Sequence, residues 1–157
     1  MQELTMEQSR PDQDHIQQAT IESLGKAVGE DQAREFVAKM ASESTPAPIG
    51  ATASLKLAIW GKISCEPDGK PYKFDQTVWG GPAYFCTSAG FLYTAYDSWD
   101  AFFSLTTSFH AQGIASGGGF LQINWFNKDA VPIGQFNGAS GGAGVAEAGG
   151  KGGWSHT

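Results

Sequence analysis

Three histidines are the residues best suited to act as a general acid or base near neutral pH, and their positions argue against a catalytic centre. His15 and His156 lie near the two ends of the chain, and only His110 falls in a segment with a strand pattern. Its neighbours Phe109 and Ala111 belong to the opposite face of that strand. We therefore expect His110 to face solvent or to be hydrogen-bonded.

The carboxylates and glycine-rich motifs do not complete a catalytic set either. Asp97 and Asp100 form a local acidic pair, but Asp97 is better explained as a helix cap, and Asp75 and Asp129 are isolated. The Gly-x-Ser-x-Gly pattern of a nucleophile elbow is absent, and no Lys-Ser/Thr follows the glycines at 117–119. We predict no catalytic residue, no cofactor and no metal site, and hence a protein that is not an enzyme.

The two cysteines, Cys65 and Cys86, have a spacing that matches no metal motif. One interpretation is a disulfide between neighbouring strands, which would be useful in an oxidising compartment. The other is a pair of ordinary thiols, because cysteine often serves as a small buried apolar residue.

Two tryptophans are candidates for a binding surface. Trp60 and Trp79 fall on the faces opposite the apolar sets of their strands, where they could stack on sugars, insert at a membrane interface or anchor a protein partner. The alternative is that such aromatic rings plug the ends of a barrel or lie beneath the N-terminal segment. A separate aromatic cluster surrounds a short predicted helix and comprises Tyr96, Trp99, Phe102 and Phe103.

Charge and glycine divide the chain into two compositions. The net charge is −6, and residues 1–48 hold nine of the sixteen acidic residues but only two of the 21 glycines. Residues 49–157 carry six basic and seven acidic residues, a net charge of −1. No basic patch indicates nucleic-acid binding, and no apolar run reaches the roughly 18 residues that a transmembrane helix needs.

The N-terminal part is predicted to be helical. Residues 1–13 are polar, and we expect them to be disordered. Apolar residues then recur at helical spacing over 14–28 and 31–40, which predicts an amphipathic helical segment over 14–41, broken near Gly29. A Pro/Ser-rich linker over 42–50 (SESTPAPIG, with Ser42 first) connects this segment to the rest of the chain.

The part after the linker is predicted to be mainly β. Apolar and polar residues alternate over 51–64, 72–79, 83–87, 90–96, 106–112, 120–126, 131–137 and 142–148. A helix of one to two turns is expected over Trp99–Leu105, with Asp97 or Ser98 as its cap. Eight short strands with turn signals about every ten residues favour a β-sandwich or a β-barrel.

An ordered series of motifs in this part resembles the virulence-associated protein (Vap) family of pathogenic actinobacteria. The series runs from Leu92-Tyr93-Thr94 through Ser108-Phe109, Leu121-Gln122-Ile123-Asn124-Trp125-Phe126 and Ile133-Gly134-Gln135-Phe136 to Gly152-Gly153-Trp154-Ser155-His156. The resemblance covers about residues 50–157. It implies a compact, eight-stranded antiparallel β-barrel with one short helix, in which Trp154 plugs one end.

The resemblance implies a non-enzymatic effector-like protein that acts on host phagosomal membranes or host proteins. An alternative is a carbohydrate- or protein-binding β module that uses Trp60 and Trp79, and a third is that the segment 14–41 does the work while the barrel carries it. The family offers no established site residues to transfer. The oligomeric state is left open.

Three features depart from the family pattern: the two cysteines, the helical N-terminal segment and the N-terminus itself. The first residues, MQELTMEQSRPDQDH, have neither the basic nor the apolar region of a Sec-type signal. We therefore expect a secreted protein that uses another route or whose signal is not in this sequence, with a cytoplasmic location as the alternative.

Overall fold

The computed structural model of the protein describes residues 13–79, 83–115, 118–141 and 144–157, and it begins with a helical hairpin. Helix α1 spans Gln13–Val28 and helix α2 spans Glu30–Met40. Gly29 separates them with a φ of 93°, a value that only glycine adopts readily. The predicted helical segment is confirmed, while the disorder predicted for residues 1–13 lies outside the described residues except for Gln13, which begins α1.

The rest of the chain forms one curled antiparallel sheet and a short helix. The strands are β1 Ile49–Leu57, β2 Trp60–Pro67, β3 Tyr72–Trp79, β4 Tyr84–Thr94, β5 Ser108–Ile114, β6 Phe120–Phe126, β7 Pro132–Ala139, β8 Ala146–Lys151 and β9 Ser155–His156, and helix α3 spans Trp99–Leu105. The strand order is β8-β5-β6-β7-β4-β1-β2-β3-β9. The mainly β, barrel-like architecture is therefore as predicted.

Two strand predictions are wrong, and their errors offset each other in number. The sheet nevertheless has nine strands and not the eight predicted, because the two-residue β9 was not predicted. The predicted strand over 51–64 is two strands, because the chain turns back at Ala58 and Ile59 without any Gly, Pro or Asn to signal the turn. The predicted strands over 83–87 and 90–96 are the single strand β4, because Ser88 and Gly90 continue the alternation instead of breaking it. In a single strand over 51–64, Ile59 would share the inward face with Leu55, Leu57 and Ile63. It is instead exposed at the turn.

An aromatic cluster closes one end of the barrel, which we call the helix end. Helix α3 starts at Ser98, whose hydroxyl accepts a hydrogen bond from the backbone nitrogen of Ala101 at 3.1 Å. Its residues Phe102 and Phe103 turn into the barrel beside Trp125. Close approach is required here, because a Cβ atom at Gly134 of β7 would overlap the Phe102 ring.

The C-terminal tail joins the two edges of the sheet at the same end. Gly152 donates its backbone N–H to the carbonyl of Thr107, and Gln76 of β3 donates to the carbonyl of Gly153. The ring of Trp154 lies 5.1 Å from that of Trp125, centroid to centroid. Trp154 is thus packed against the core, as the predicted plug requires.

The two cysteines are free and buried, so they are a pair of ordinary thiols and do not form a disulfide in this structure. Cys65 of β2 lies opposite Ala53 of β1, and Cys86 of β4 lies opposite Leu55 on the other side of the same strand. Because β1 lies between β2 and β4, the two cysteines are separated by two strand-to-strand spacings, or about 10 Å. This exceeds the Cα separation of roughly 7 Å that a disulfide tolerates. Burial raises the pKa of both thiols, so they stay protonated near neutral pH.

We expect neither cysteine to react with iodoacetamide in the folded protein at pH 8, because protonated buried thiols are poor nucleophiles. Intact-protein mass spectrometry after timed labelling measures this, with protein unfolded in guanidinium chloride as the control in which both cysteines react. Rapid labelling of either thiol in the folded state would contradict the assignment.

Substituting Gly134→Ala should lower the free energy of unfolding by about 1–3 kcal/mol, because the added methyl group overpacks the contact with Phe102. Gly150→Ala is the matched control, since its added Cβ atom would lie at an ordinary 3.6 Å from the Phe109 ring. Chemical denaturation of the three proteins measures the difference. Equal stability of the Gly134→Ala variant and the parent would show that α3 does not pack tightly on β7.

Candidate functional site

The two ends of the barrel differ in charge. Strands β1, β3, β5 and β7 end, and the strands that follow them begin, at the end opposite α3, because every pairing in the sheet is antiparallel. Four short segments of the sequence connect these strands. These four connecting segments, residues 58–59, 80–83, 115–119 and 140–145, contain no charged residue. We call this the uncharged end.

The carboxylates of the β domain lie toward the helix end. Five of its seven acidic residues lie there: Glu66 next to the last residue of β2, and Asp68, Asp97, Asp100 and Asp129 outside the strands. Of the other two, Asp75 lies in the middle of β3, and Glu147 is the second residue of β8, near the opposite end. The low net charge of the domain therefore conceals a clear asymmetry between its two ends.

Five of the described large apolar side chains project into solvent at or next to the uncharged end. One is Val145 in the β7–β8 connection, and the other four lie on or beside β2, β3 and β4. The exposed fractions are 82% for Ile59, 55% for Trp60, 69% for Trp79 and 64% for Phe85. Trp60 and Trp79 are paired across β2 and β3, and their ring centroids are 6.4 Å apart. We call these four residues the tip patch: Ile59, Trp60 and Trp79 are adjacent, and Phe85 lies two strands away from Trp60 on β4. Clustered exposed apolar side chains often mark an interaction site.

The backbone at the tip is strained. Ile59 has a φ of 92°, in the left-handed region that β-branched residues rarely occupy. Glycine or asparagine would relieve the strain at this turn and would also remove the most exposed apolar side chain of the patch. Outliers of this kind cluster at functional sites, which points to a role for Ile59 beyond folding.

Two lysines lie one residue row further from the end than Trp60 and Trp79, in the same row as Phe85. Lys56 of β1 lies opposite Lys62 of β2 on one side and opposite Phe85 of β4 on the other. The Lys62 ammonium is 3.8 Å from a carboxylate oxygen of Asp75, and both side chains are substantially exposed. The patch therefore combines an apolar tip with two neighbouring lysines, of which Lys62 is paired with Asp75.

Sequence reasoning placed Trp60 and Trp79 correctly on the outer face, and their binding role stays a prediction. It missed Ile59, because the alternation of β1 runs into a turn without a turn residue. It also missed Phe85, although the sequence indicates its exposure. Phe85 alternates with Tyr84 and Cys86, which are buried, so it belongs to the outer face of the strand. The two cysteines lie in the core and take no part in the patch.

The residues considered for acid-base chemistry are dispersed. His110 is half-buried and 3.1 Å from a carboxylate oxygen of Glu147, so it is a hydrogen-bonded strand residue as expected. Ser98, and not Asp97, caps α3. Within the described ranges, no three His, Cys, Asp or Glu side chains converge on a point that could hold a metal ion. None of the described helices is long and apolar enough to cross a membrane.

Comparison with solved structures shows the same β fold in two proteins of known source. The virulence-associated protein VapB from the intracellular pathogen Rhodococcus equi matches with a TM-score of 0.59 and 19% identity, over 71% of this chain and 98% of that one. The virulence-associated protein VapD from the same organism matches with a TM-score of 0.59 and 22% identity, over 69% and 97%. No curated protein sequence gives a significant match.

A sequence profile reaches beyond the β domain. The profile described as Rhodococcus equi virulence-associated protein matches residues 6–155, which includes the helical hairpin and nearly all of the barrel. The chain therefore belongs to the Rhodococcus equi virulence-associated protein family.

Proposed function

We propose that this protein is a non-catalytic, virulence-associated barrel that attaches to an anionic lipid surface through the tip patch at its uncharged end. Membership of the family supports the virulence-associated role. The observation that carries the lipid assignment is the coincidence of four exposed apolar side chains with four connecting segments that hold no charge. A charge-free end can enter the headgroup region without desolvating an ion.

The chemistry of the patch suits the membrane interface. Tryptophan prefers the boundary between headgroups and acyl chains, where its ring is apolar and its N–H group stays hydrated. The projecting Ile59 would reach deepest, with Trp60 and Trp79 behind it. Lys56 and Lys62 follow at headgroup level, where each lysine near an anionic surface contributes about 1 kcal/mol of attraction.

A second candidate function is binding of a carbohydrate or a protein through the two tryptophans. The observation that favours it is the Trp60–Trp79 pair, whose rings are tilted by 45° and lie side by side on the outer face. Such rings can stack on the apolar faces of sugars or anchor a protein partner. This function would need the tryptophans but neither Ile59 nor the lysines.

We expect the purified protein to bind vesicles of phosphatidylcholine and phosphatidylserine between pH 5 and 7.5. Replacing both rings, Trp60→Ser with Trp79→Ser, should weaken binding at least about tenfold, because it removes the burial of two large side chains. Leu105→Ser is the matched control, since Leu105 is also exposed but lies at the helix end. Cosedimentation measures all three proteins.

Two outcomes would contradict the lipid assignment. One is the absence of vesicle binding at every pH in that range, and the other is unchanged binding by the double variant. Retention of a soluble glycan by the parent protein, lost in the same double variant and accompanied by no vesicle binding, would establish the second candidate function instead.

A further inference from the structure

The outer face of β5–β7 is covered, which is unusual for an antiparallel sheet. Every residue of β6 and all but the last of β7 are buried, so both faces of these strands are shielded. The inner face packs on the barrel core, and the outer face lies beneath the helical hairpin. Antiparallel strands more commonly leave one face in water.

The covered face carries a row of side-chain amides, which we call the amide ladder and which consists of Gln112, Gln122, Asn124, Gln135 and Asn137. Its members are bonded to one another. Gln122 donates to Asn137 at 3.0 Å, Gln135 donates to Asn124 at 2.7 Å, and Asn137 donates to Gln135 at 2.7 Å. A ladder bonded in this way needs few partners from the covering element, and water can replace those few.

The hairpin contacts the ladder through the hydroxyl of Thr20. Its hydroxyl accepts from Gln122 at 3.1 Å and from Gln135 at 2.8 Å, and it donates to the carbonyl of Ile16 at 2.7 Å. All three hydrogen-bonding positions of the hydroxyl are used. Thr20 therefore sets the register of α1 on the sheet.

The remaining contact is apolar and modest in extent. Leu24, Ala33 and Phe36 of the hairpin pack with Phe126 of β6 in a cluster separate from the barrel core. Open space follows the seam: a groove of about 900 Å³ lies between α1 and β5, and a cavity of about 110 Å³ lies beside Thr20. Charged side chains line the groove, including Glu22 and Lys26, so water can enter it.

The two solved relatives correspond in length to the β domain alone. VapB and VapD match over 98% and 97% of their own length but over only 71% and 69% of this chain. The matched length is close to that of the β domain alone. The two solved chains therefore contain almost nothing outside the matched fold.

From these observations we propose that the outer face of β5–β7 is a helix-docking surface, which the hairpin occupies reversibly and which a second copy's hairpin can occupy in trans. The inference concerns a different face from the tip patch and is independent of the lipid-binding function. A second copy is the occupant because its Thr20 and its Leu24-Ala33-Phe36 surface are complementary to the ladder and to Phe126 by construction. The linker over 41–48, with Pro46 and Pro48, lets the hairpin leave as a unit.

Hydrogen exchange measured by mass spectrometry tests the reversible docking in the full chain. Amides of residues 13–40 should exchange faster than those of β6 and β7, because the hairpin opens while the barrel stays folded. Thr20→Val keeps the side-chain shape but leaves two buried amide N–H groups unpaired, so exchange over 13–40 should accelerate about ten- to hundredfold. Thr77→Val, on the exposed face of β3, is the matched control and should change neither region.

Equal exchange rates for the hairpin and for β6 and β7 would overturn reversible docking, because the two would then open only by global unfolding. An unchanged rate in Thr20→Val would overturn the role of Thr20 as the docking contact. If Thr20→Val accelerated exchange in β6 and β7 as much as in the hairpin, this would also overturn reversible docking.

Native mass spectrometry tests the occupancy in trans. A linker of this length holds the hairpin at an effective concentration of about 1 mM, so exchange between copies needs protein near that concentration. Mixing unlabelled and ¹⁵N-labelled protein should yield a mixed dimer, and Thr20→Val should speed its appearance without changing its final fraction. The fraction is conserved because the same docking contact is weakened in monomer and dimer alike. No mixed dimer in either protein would overturn the second copy as an occupant.

Discussion

The closure of the sheet by the C-terminal tail is the constraint on which the remaining structure depends. Strand β8 is one edge of the sheet, and at the other side β3 is followed only by the two-residue β9, which belongs to the tail. No strand pairing joins β8 to β3. The tail spans this gap with Gly152, Gly153 and Trp154, and the Trp154 ring packs among Phe74, Phe102, Phe103 and Trp125. Because closure is achieved by packing at the helix end, that end holds the aromatic rings of the core.

The interior of the barrel is filled, and both surfaces proposed to bind a partner lie on its outside. Rings and aliphatic side chains occupy the core, and the three histidines lie on the sheet surface, in the tail and on the hairpin. Two parts of the outer surface are distinctive. The tip patch is apolar and exposed, whereas the amide ladder is polar and covered, so each has the character opposite to that expected for its environment.

Local patterns predicted most of the secondary structure and the class of fold, because period-two alternation and Gly/Pro turns depend on neighbouring residues. The turn at Ala58 and Ile59 escaped prediction because its strain is compensated by tertiary structure and not by turn residues. The amide ladder escaped for a different reason. Gln122 and Asn124 alternate with apolar residues as water-facing positions do, and only the docking of Thr20 from about a hundred positions earlier buries them.

The central claim is that Trp60 and Trp79 enter the lipid phase at the uncharged end, and quenching of tryptophan emission by brominated lipids tests it most directly. Lipids brominated high on the acyl chain should quench the parent protein bound to vesicles. They should quench little in a variant carrying Trp60→Phe and Trp79→Phe, which still binds because phenylalanine is apolar. Bound protein whose emission is not quenched, or equal quenching in parent and variant, would show that another surface contacts the membrane.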